Sequence, residues 1–364
     1  MTRFLPRAVF ITGGPRSGTN LLHRLFAGHP RLLAMPDTGK ANFLRSMPPA
    51  WAKSSPAARP GAMADCAEFI ASGFIPRDAL LSILKKDLEG IDDYPEAVAV
   101  FVRALAQTMN RATESLTHFI EKNHNLEFLL HKAEKWFPDQ RMIFLVRDPR
   151  DAWCSWKKLA DMNGLDLGPR QYRINVGRHF QTELEAMRGS NPPYADEKAL
   201  ANAYGIDPAK LRAFASQCPD DWPYPTDTDK LGPAGYFVRN WQHMLRKARH
   251  NAQIAPGSFT LLRYEDLVAS CKETMRRLAG FIELDYDTCL EYVDDSPAPS
   301  WKTILHGRSG FSSFHERSPG AVDQNSVGIW RGRIDPEETA MIESSARQDM
   351  LRYKYIPTTD SDHE

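Results

Sequence analysis

The residues best suited to chemistry near the start of the chain lie in AVFITGGPRSGTNLL, residues 8–22. Ala8 to Thr12 are mostly apolar and β-prone, Gly13 and Gly14 permit a tight backbone path, and Leu21, Leu22, Leu25 and Phe26 recur at helical spacing. A strand therefore runs through a Gly-rich turn into a helix. Backbone N–H groups of such a turn converge with the positive end of the helix dipole on one point, which is where a phosphate binds. Gly14, Pro15 and Gly18 shape that cradle, and Arg16, Ser17, Thr19 and Asn20 add side-chain donors. Gly13 and Gly18 have the glycine spacing of a nucleoside-triphosphate loop, yet Thr19 and Asn20 replace the lysine and hydroxyl residue that would hold γ-phosphate and magnesium. The GxGxxG order of a dinucleotide site is absent as well.

A second chemical stretch is PDQRMIFLVRDPRDAWCSW, residues 138–156. Met142 to Val146 form a continuous apolar run, as a strand buried on both faces requires, and the chain turns charged at Arg147. Asp148 is placed to cap the next helix, with Pro149 in its first turn. Ligands of open parallel sheets bind beyond the carboxyl ends of the strands. Arg147 and Ser155, eight apart, are thus set to grip one anion from two sides.

With these residues in view, PRSGTN followed by VRDPRDAWCS resembles the paired loops of sulfotransferases that use 3′-phosphoadenosine-5′-phosphosulfate (PAPS). The resemblance runs from about residue 8 to about residue 340 and is similar in pattern to the tyrosylprotein-type and bacterial members. It implies that residues 14–20 hold the 5′-phosphosulfate and that Arg147 and Ser155 hold the 3′-phosphate. Arg16 stands where cytosolic members carry lysine and tyrosylprotein members arginine. Lys122 matches a lysine ahead of the 3′-phosphate strand, LLRYEDLVAS resembles the family's later YEDL segment, and Tyr264 within it is a candidate for adenine contact or a structural helix start. HERSP, residues 315–319, resembles the ERS element of the tyrosylprotein type, which implies a place for Ser318 near the bridging oxygen. VGIWRGRID, residues 327–335, resembles the later donor segment, with Trp330 either a core aromatic or a donor contact. Ile329 precedes Trp330 where relatives have a cation, so either Arg331 or Arg333 replaces it or the 3′-phosphate has one contact fewer.

The activity implied is transfer of the sulfuryl group of PAPS to a hydroxyl of a carbohydrate, phenol, tyrosyl group or small metabolite, releasing PAP. Sulfuryl transfer shares a loose in-line transition state with phosphoryl transfer, so positioning and electrostatics supply most of the rate. Arg16 and Lys122 are the expected stabilising cations, and no metal is required. Two residues compete for general base. Asp37 lies twenty-one residues after Arg16, where the tyrosylprotein type carries a glutamate, and this chain position favours it. His124, in KNH, resembles the histidine of the cytosolic enzymes. Two other classes remain open: an atypical nucleotide-dependent transferase or kinase, and a non-catalytic relative that binds an anion or sulfated glycan.

The elements that must position these groups alternate between helical patterns and short strands. Candidate strands are 8–12, 31–35, 117–121, 142–146 and 258–263, and 95–112 reads as a buried helix. The expected fold is α/β: a P-loop-like three-layer arrangement with a central, mostly parallel sheet flanked by helices. One domain is expected over 1–357, with 161–232 inserted over the sheet because it lacks a sustained apolar period, and a flexible tail at 358–364. Residues 41–62, rich in Pro, Ala and Ser, read as a loop beside the site. Trp51, Tyr172, Tyr194, Trp222 and Tyr224 in these stretches either line an acceptor pocket or pack.

Composition fits an enzyme with a large core: 364 residues, 42% hydrophobic and 25% charged, with a net charge of zero. That balance argues against nucleic acid as a partner, and no apolar run approaches the ~20 residues of a membrane span. The partner expected is the hydroxyl acceptor, with a homodimer allowed. Five scattered cysteines without a CxxC read as reduced thiols, and with no leader ahead of the first strand the expected location is cytoplasmic.

Overall fold

The computed structural model describes residues 5–35, 43–45, 47–70, 76–164, 169–188, 192, 194–204, 207–210, 232–285 and 322–358. Along the chain run β1 (Arg7–Gly13), α1 (Thr19–Ala27), β2 (Leu32–Ala34), α2 (Met47–Lys53), α3 (Arg59–Ile70), α4 (Arg77–Asp87) and α5 (Tyr94–Thr108). They are followed by β3 (His118–Lys122), α6 (Leu130–Trp136), β4 (Arg141–Val146), α7 (Pro149–Asn163), α8 (Pro169–Ala186) and α9 (Glu197–Ala203). The remainder is α10 (Gly232–Ile254), β5 (Phe259–Arg263), α11 (Tyr264–Ala269), α12 (Cys271–Ile282) and α13 (Pro336–Arg352). The chain gathers into two compact units. The first comprises Met1–Gly13, Gly18–Leu145 and Asn251–Gln324, and the second Gly14–Ser17, Val146–His250 and Asn325–Glu364.

The first unit is built on a five-stranded parallel sheet in the order β2-β3-β1-β4-β5, flanked by helices. All five expected strands are present. The apolar runs of β1, β2 and β4 are explained by burial on both faces. One face packs Val9, Ile11 and Ile143 against Leu22, Phe26 and Leu278 of the helices. The other is aromatic: Phe43 meets Phe101 and Phe119 at 5.8 and 5.3 Å, and Phe137 meets Phe10 and Phe119 at 5.9 and 6.0 Å. Helix α5 is capped by Asp93, which accepts from the N–H of Glu96 at 3.0 Å.

The loop expected over 41–62 is corrected by the structure. Met47–Lys53 and the start of Arg59–Ile70 are helical. Pro56 lies in the turn between the two helices, and the other three prolines of this stretch lie in first turns: Pro48 and Pro49 in α2, Pro60 in α3. There the fixed φ is already helical and the missing N–H would have had no partner within the helix. Met47 and Trp51, four apart, are buried by α2, and Trp51 stacks under Arg59 at 4.3 Å.

In the second unit, α7 begins as expected, with Asp148 accepting from the N–H of Arg150 at 2.9 Å and Pro149 in the first turn. Gly164, at φ 59, closes its end by donating to the carbonyl of Ala160. Within 161–232, Phe180, Leu200 and Tyr204 gather with Tyr236 of α10 into a small apolar cluster. Tyr194 packs there too, its ring on His250 at 5.4 Å and its hydroxyl donating to Glu183 at 3.2 Å. Tyr172's side chain, Trp222 and Tyr224 lie outside the described residues. Among the described residues no helix is long and apolar enough to cross a membrane, and Cys66, Cys154 and Cys271 are free thiols.

Candidate active site

In the second unit the two chemical stretches of the sequence meet. Gly14 to Ser17 form a turn closed by Ser17 N–H donating to the carbonyl of Gly14 at 3.2 Å. Arg16 stands in the left-handed region at φ 62, an uncommon conformation for a side-chain-bearing residue. Its Nε donates to the hydroxyl of Ser155 at 2.9 Å. Its carbonyl accepts from Arg147 Nη1 at 3.0 Å, while Arg147 Nη2 donates to the carbonyl of Ser326 at 2.6 Å. Arg16 thus joins the two stretches, through its side chain to Ser155 and through its carbonyl to Arg147. The sequence reading gave Arg16 to the sulfuryl group and Ser155 to the 3′-phosphate, whereas here their side chains are joined. Ser17 Oγ is buried without a hydrogen-bond partner, a donor aimed at no protein acceptor.

Sequence reasoning missed the support under this corner. Trp241 of α10 donates from Nε1 to the carbonyl of Arg147 at 3.1 Å, and its ring is 3.8 Å from where a Cβ on Gly14 would lie. Asp151, in the first turn of α7, accepts from the N–H groups of Gly328 at 2.7 Å and Trp330 at 3.1 Å. Burial pushes its carboxyl up, and those two N–H groups with the charge of Arg147 act in the opposite direction. Trp330 lies 4.2 Å from the guanidinium of Arg150 and 5.2 Å from that of Arg331, so cations attend its ring. Arg331 and Arg333 are exposed in the turn after it. A buried tryptophan on an amphipathic helix and an aspartate four residues after Arg147 were the available signals.

In the first unit the candidates cluster where β1 and β3 end. Gly18, at φ 97, precedes α1, and a Cβ there would lie 2.3 Å from Tyr264 Cδ2, so only glycine fits. Tyr264 begins α11 and is buried against it, which explains the tyrosine structurally. Thr19 and Asn20 open α1. Lys122 is the last residue of β3, buried, and in register with Ile11. The chain beyond it is stitched to β1: Asn123 N–H donates to Ile11 at 3.0 Å, and Thr12 Oγ1 donates to Glu127 at 2.6 Å while accepting from Leu126 N–H at 3.2 Å. Between these ties, His124 Nδ1 donates to the carbonyl of Gly13 at 3.1 Å. A carbonyl only accepts, so this bond fixes the Nδ1–H tautomer and puts the lone pair of the neutral ring on Nε2. Asp37 and Ser318 lie outside the described residues. Among the described residues no group of three or more His, Cys, Asp or Glu could hold a metal ion.

The family model of the sulfotransferase family matches residues 6–201, more than half of the chain. The chain belongs to the sulfotransferase family. No curated protein matches it at a significant level. Among solved structures it is similar to the sulfotransferase domain from the curacin biosynthetic pathway, at 15% identity over 94% of this chain and 98% of that one, with a TM-score of 0.43. The sulfotransferase domain of the Synechococcus PCC 7002 olefin synthase is 17% identical over 95% and 97%, with a TM-score of 0.43. Retinol dehydratase, in a complex with retinol and PAP, is 12% identical over 95% and 81%, with a TM-score of 0.35. Membership rests on the family model, and these low TM-scores add no argument to it.

Proposed function

We propose that the protein transfers the sulfuryl group of PAPS to a hydroxyl acceptor, releasing PAP. The observation that carries this reading is the convergence of Arg16, Arg147 and Ser155, drawn from two distant stretches, with the buried Ser17 hydroxyl beside them in the turn. These residues fit a donor with two phosphate-type anions. Residues 14–20 would hold the 5′-phosphosulfate, and Arg147 with Ser155 the 3′-phosphate. The donor supplies an activated sulfuryl group on a phosphate leaving group. Arg16 and Lys122 would stabilise charge on the sulfuryl and bridging oxygens, and neither role requires a metal.

A base must take the acceptor's proton as its oxygen bonds to sulfur and the bond from sulfur to the phosphate oxygen breaks. Chain position favours Asp37, but the described geometry supports His124, whose ring is held in the tautomer that accepts a proton at Nε2. Calorimetry with PAP and AMP tests the donor reading. Arg147→Ala is expected to weaken PAP by at least about tenfold and AMP little, as loss of a charge-assisted contact to the 3′-phosphate requires. Equal losses for both ligands would show that Arg147 does not read that phosphate.

A further inference from the structure

Residues 326–330 form a strap tied to the β4–α7 corner at three backbone points. Ser326 accepts from Arg147, and Gly328 and Trp330 both donate to the carboxylate of Asp151, which is 1% exposed. The indole of Trp330 is held against Arg150, whose guanidinium is itself locked by Asp148 at 2.7 Å, Glu343 at 2.6 Å and the carbonyl of Tyr355 at 2.7 Å. Cys154 adds a weak bond to the carbonyl of Ile329 at 3.9 Å. Arg147 is therefore oriented from two sides, by the carbonyl of Arg16 in the turn and by that of Ser326 in the strap.

We infer that Asp151 is a positioning residue for the donor: by anchoring the strap it pre-orients Arg147, and so sets affinity for the 3′-phosphate without touching it. This rests on the donor reading above. The chemistry is simple. A guanidinium has five N–H donors in a rigid fork, so two can be spent on carbonyls that fix its plane while others face a phosphate. Holding it still before the ligand arrives lowers the ordering cost of binding. A carboxylate is the right anchor because its two oxygens accept two backbone N–H groups at once, and charge-assisted bonds of this kind are about twice as strong as neutral ones. Asp151 was visible in the sequence only as a residue of the following helix.

Asp151→Asn tests this, since it keeps the shape but leaves one oxygen for two N–H groups. Hydrogen exchange should quicken at the amides of Gly328 and Trp330, and PAP should bind about tenfold more weakly, with AMP, which lacks the 3′-phosphate, unchanged. Gly328→Ala provides a second route, because its φ of 74 is strained for alanine and the new Cβ would lie 2.1 Å from Arg331 Nη1. The same selective loss of PAP is expected. Equal weakening of PAP and AMP, or unchanged PAP despite faster exchange, would reduce Asp151 to a structural tie and overturn the inference. Unchanged exchange would overturn it too. Wild-type protein that binds PAP no better than AMP would instead remove the donor reading itself, and the inference with it.

Discussion

Two buried carboxylates, one in each unit, are both pushed up by burial, and their surroundings counter that push to different degrees. Glu121 on β3, 0% exposed, receives one N–H, from Phe43 at 3.0 Å, and the charge of Arg45 also acts on it, while among the described residues its Oε1 has no hydrogen-bond partner. Burial pushes its carboxyl up to about 8. Asp151, 1% exposed, receives two N–H groups and has Arg147 beside it, which counter the same burial. A carboxylate keeps its charge in the interior only where several donors replace water. The β4–α7 corner has such donors and is built around charge, as the phosphate grip proposed for it would require. The end of β3 has a carboxyl held by one bond, next to the lysine and close to the histidine proposed for chemistry. Affinity and turnover should therefore separate between the two regions.

The largest effect expected is on turnover. His124→Ala should lower kcat by about 10²–10⁴-fold, the range for a lost general base, with PAP affinity kept. Asp37→Asn should cost much less. Sulfation of an accepted hydroxyl substrate with labelled donor measures both, and the reverse order would assign the base to Asp37 and end the division drawn here.

How far the sequence revealed these regions follows from what each local pattern encodes. β1 and β4 were legible because a strand buried on both faces must be an apolar run, bounded by glycine or charge, as 142–146 before Arg147 shows. The cap at Asp148 was legible because Asp-Pro before a helix has one stereochemical use. Residues 47–62 were misread because proline content was taken without position, and a first-turn proline favours the helix it was thought to break. Glu121 was taken only as part of a strand end. Its position two residues after Phe119 puts it on the aromatic face by strand alternation, so its burial was inferable and its clamp on Phe43 was not. The ties of Asp151 and Trp241 join segments more than ninety residues apart, and no local period announces them.

An intermediate effect is expected at the charged corner. Ser155→Ala and Arg16→Ala should each weaken PAP by about tenfold, and the double variant by less than the product, because the two side chains share a hydrogen bond of 2.9 Å. Calorimetry on the four proteins gives the coupling. Strict additivity would mean that the contact does not survive in the bound state, and that the corner is less of a unit than Asp151 and Arg147 make it.

The last effect expected is on stability and not on affinity or turnover, and it is a slope. Glu121 has a folded-state value of about 8 against an ordinary 4.5, so the fold holds the proton that the unfolded chain releases. Below the ordinary value both states are protonated and its contribution is fully present. As pH rises through the interval the unfolded state gains, and the loss is complete once pH passes the folded value. Within that window each pH unit should cost about 1.4 kcal/mol, roughly tenfold in the folding equilibrium. Glu121→Gln removes the titration and keeps a carbonyl oxygen for Phe43 N–H, whose residue is also held through its carbonyl by Tyr94 at 2.7 Å. Urea denaturation at a series of pH values from 5 to 8 should therefore show the variant losing less stability than the wild type as pH rises. Parallel curves would mean that Glu121 is ionised in the folded protein, through donors equivalent to those of Asp151, and the contrast between the two carboxylates would fall.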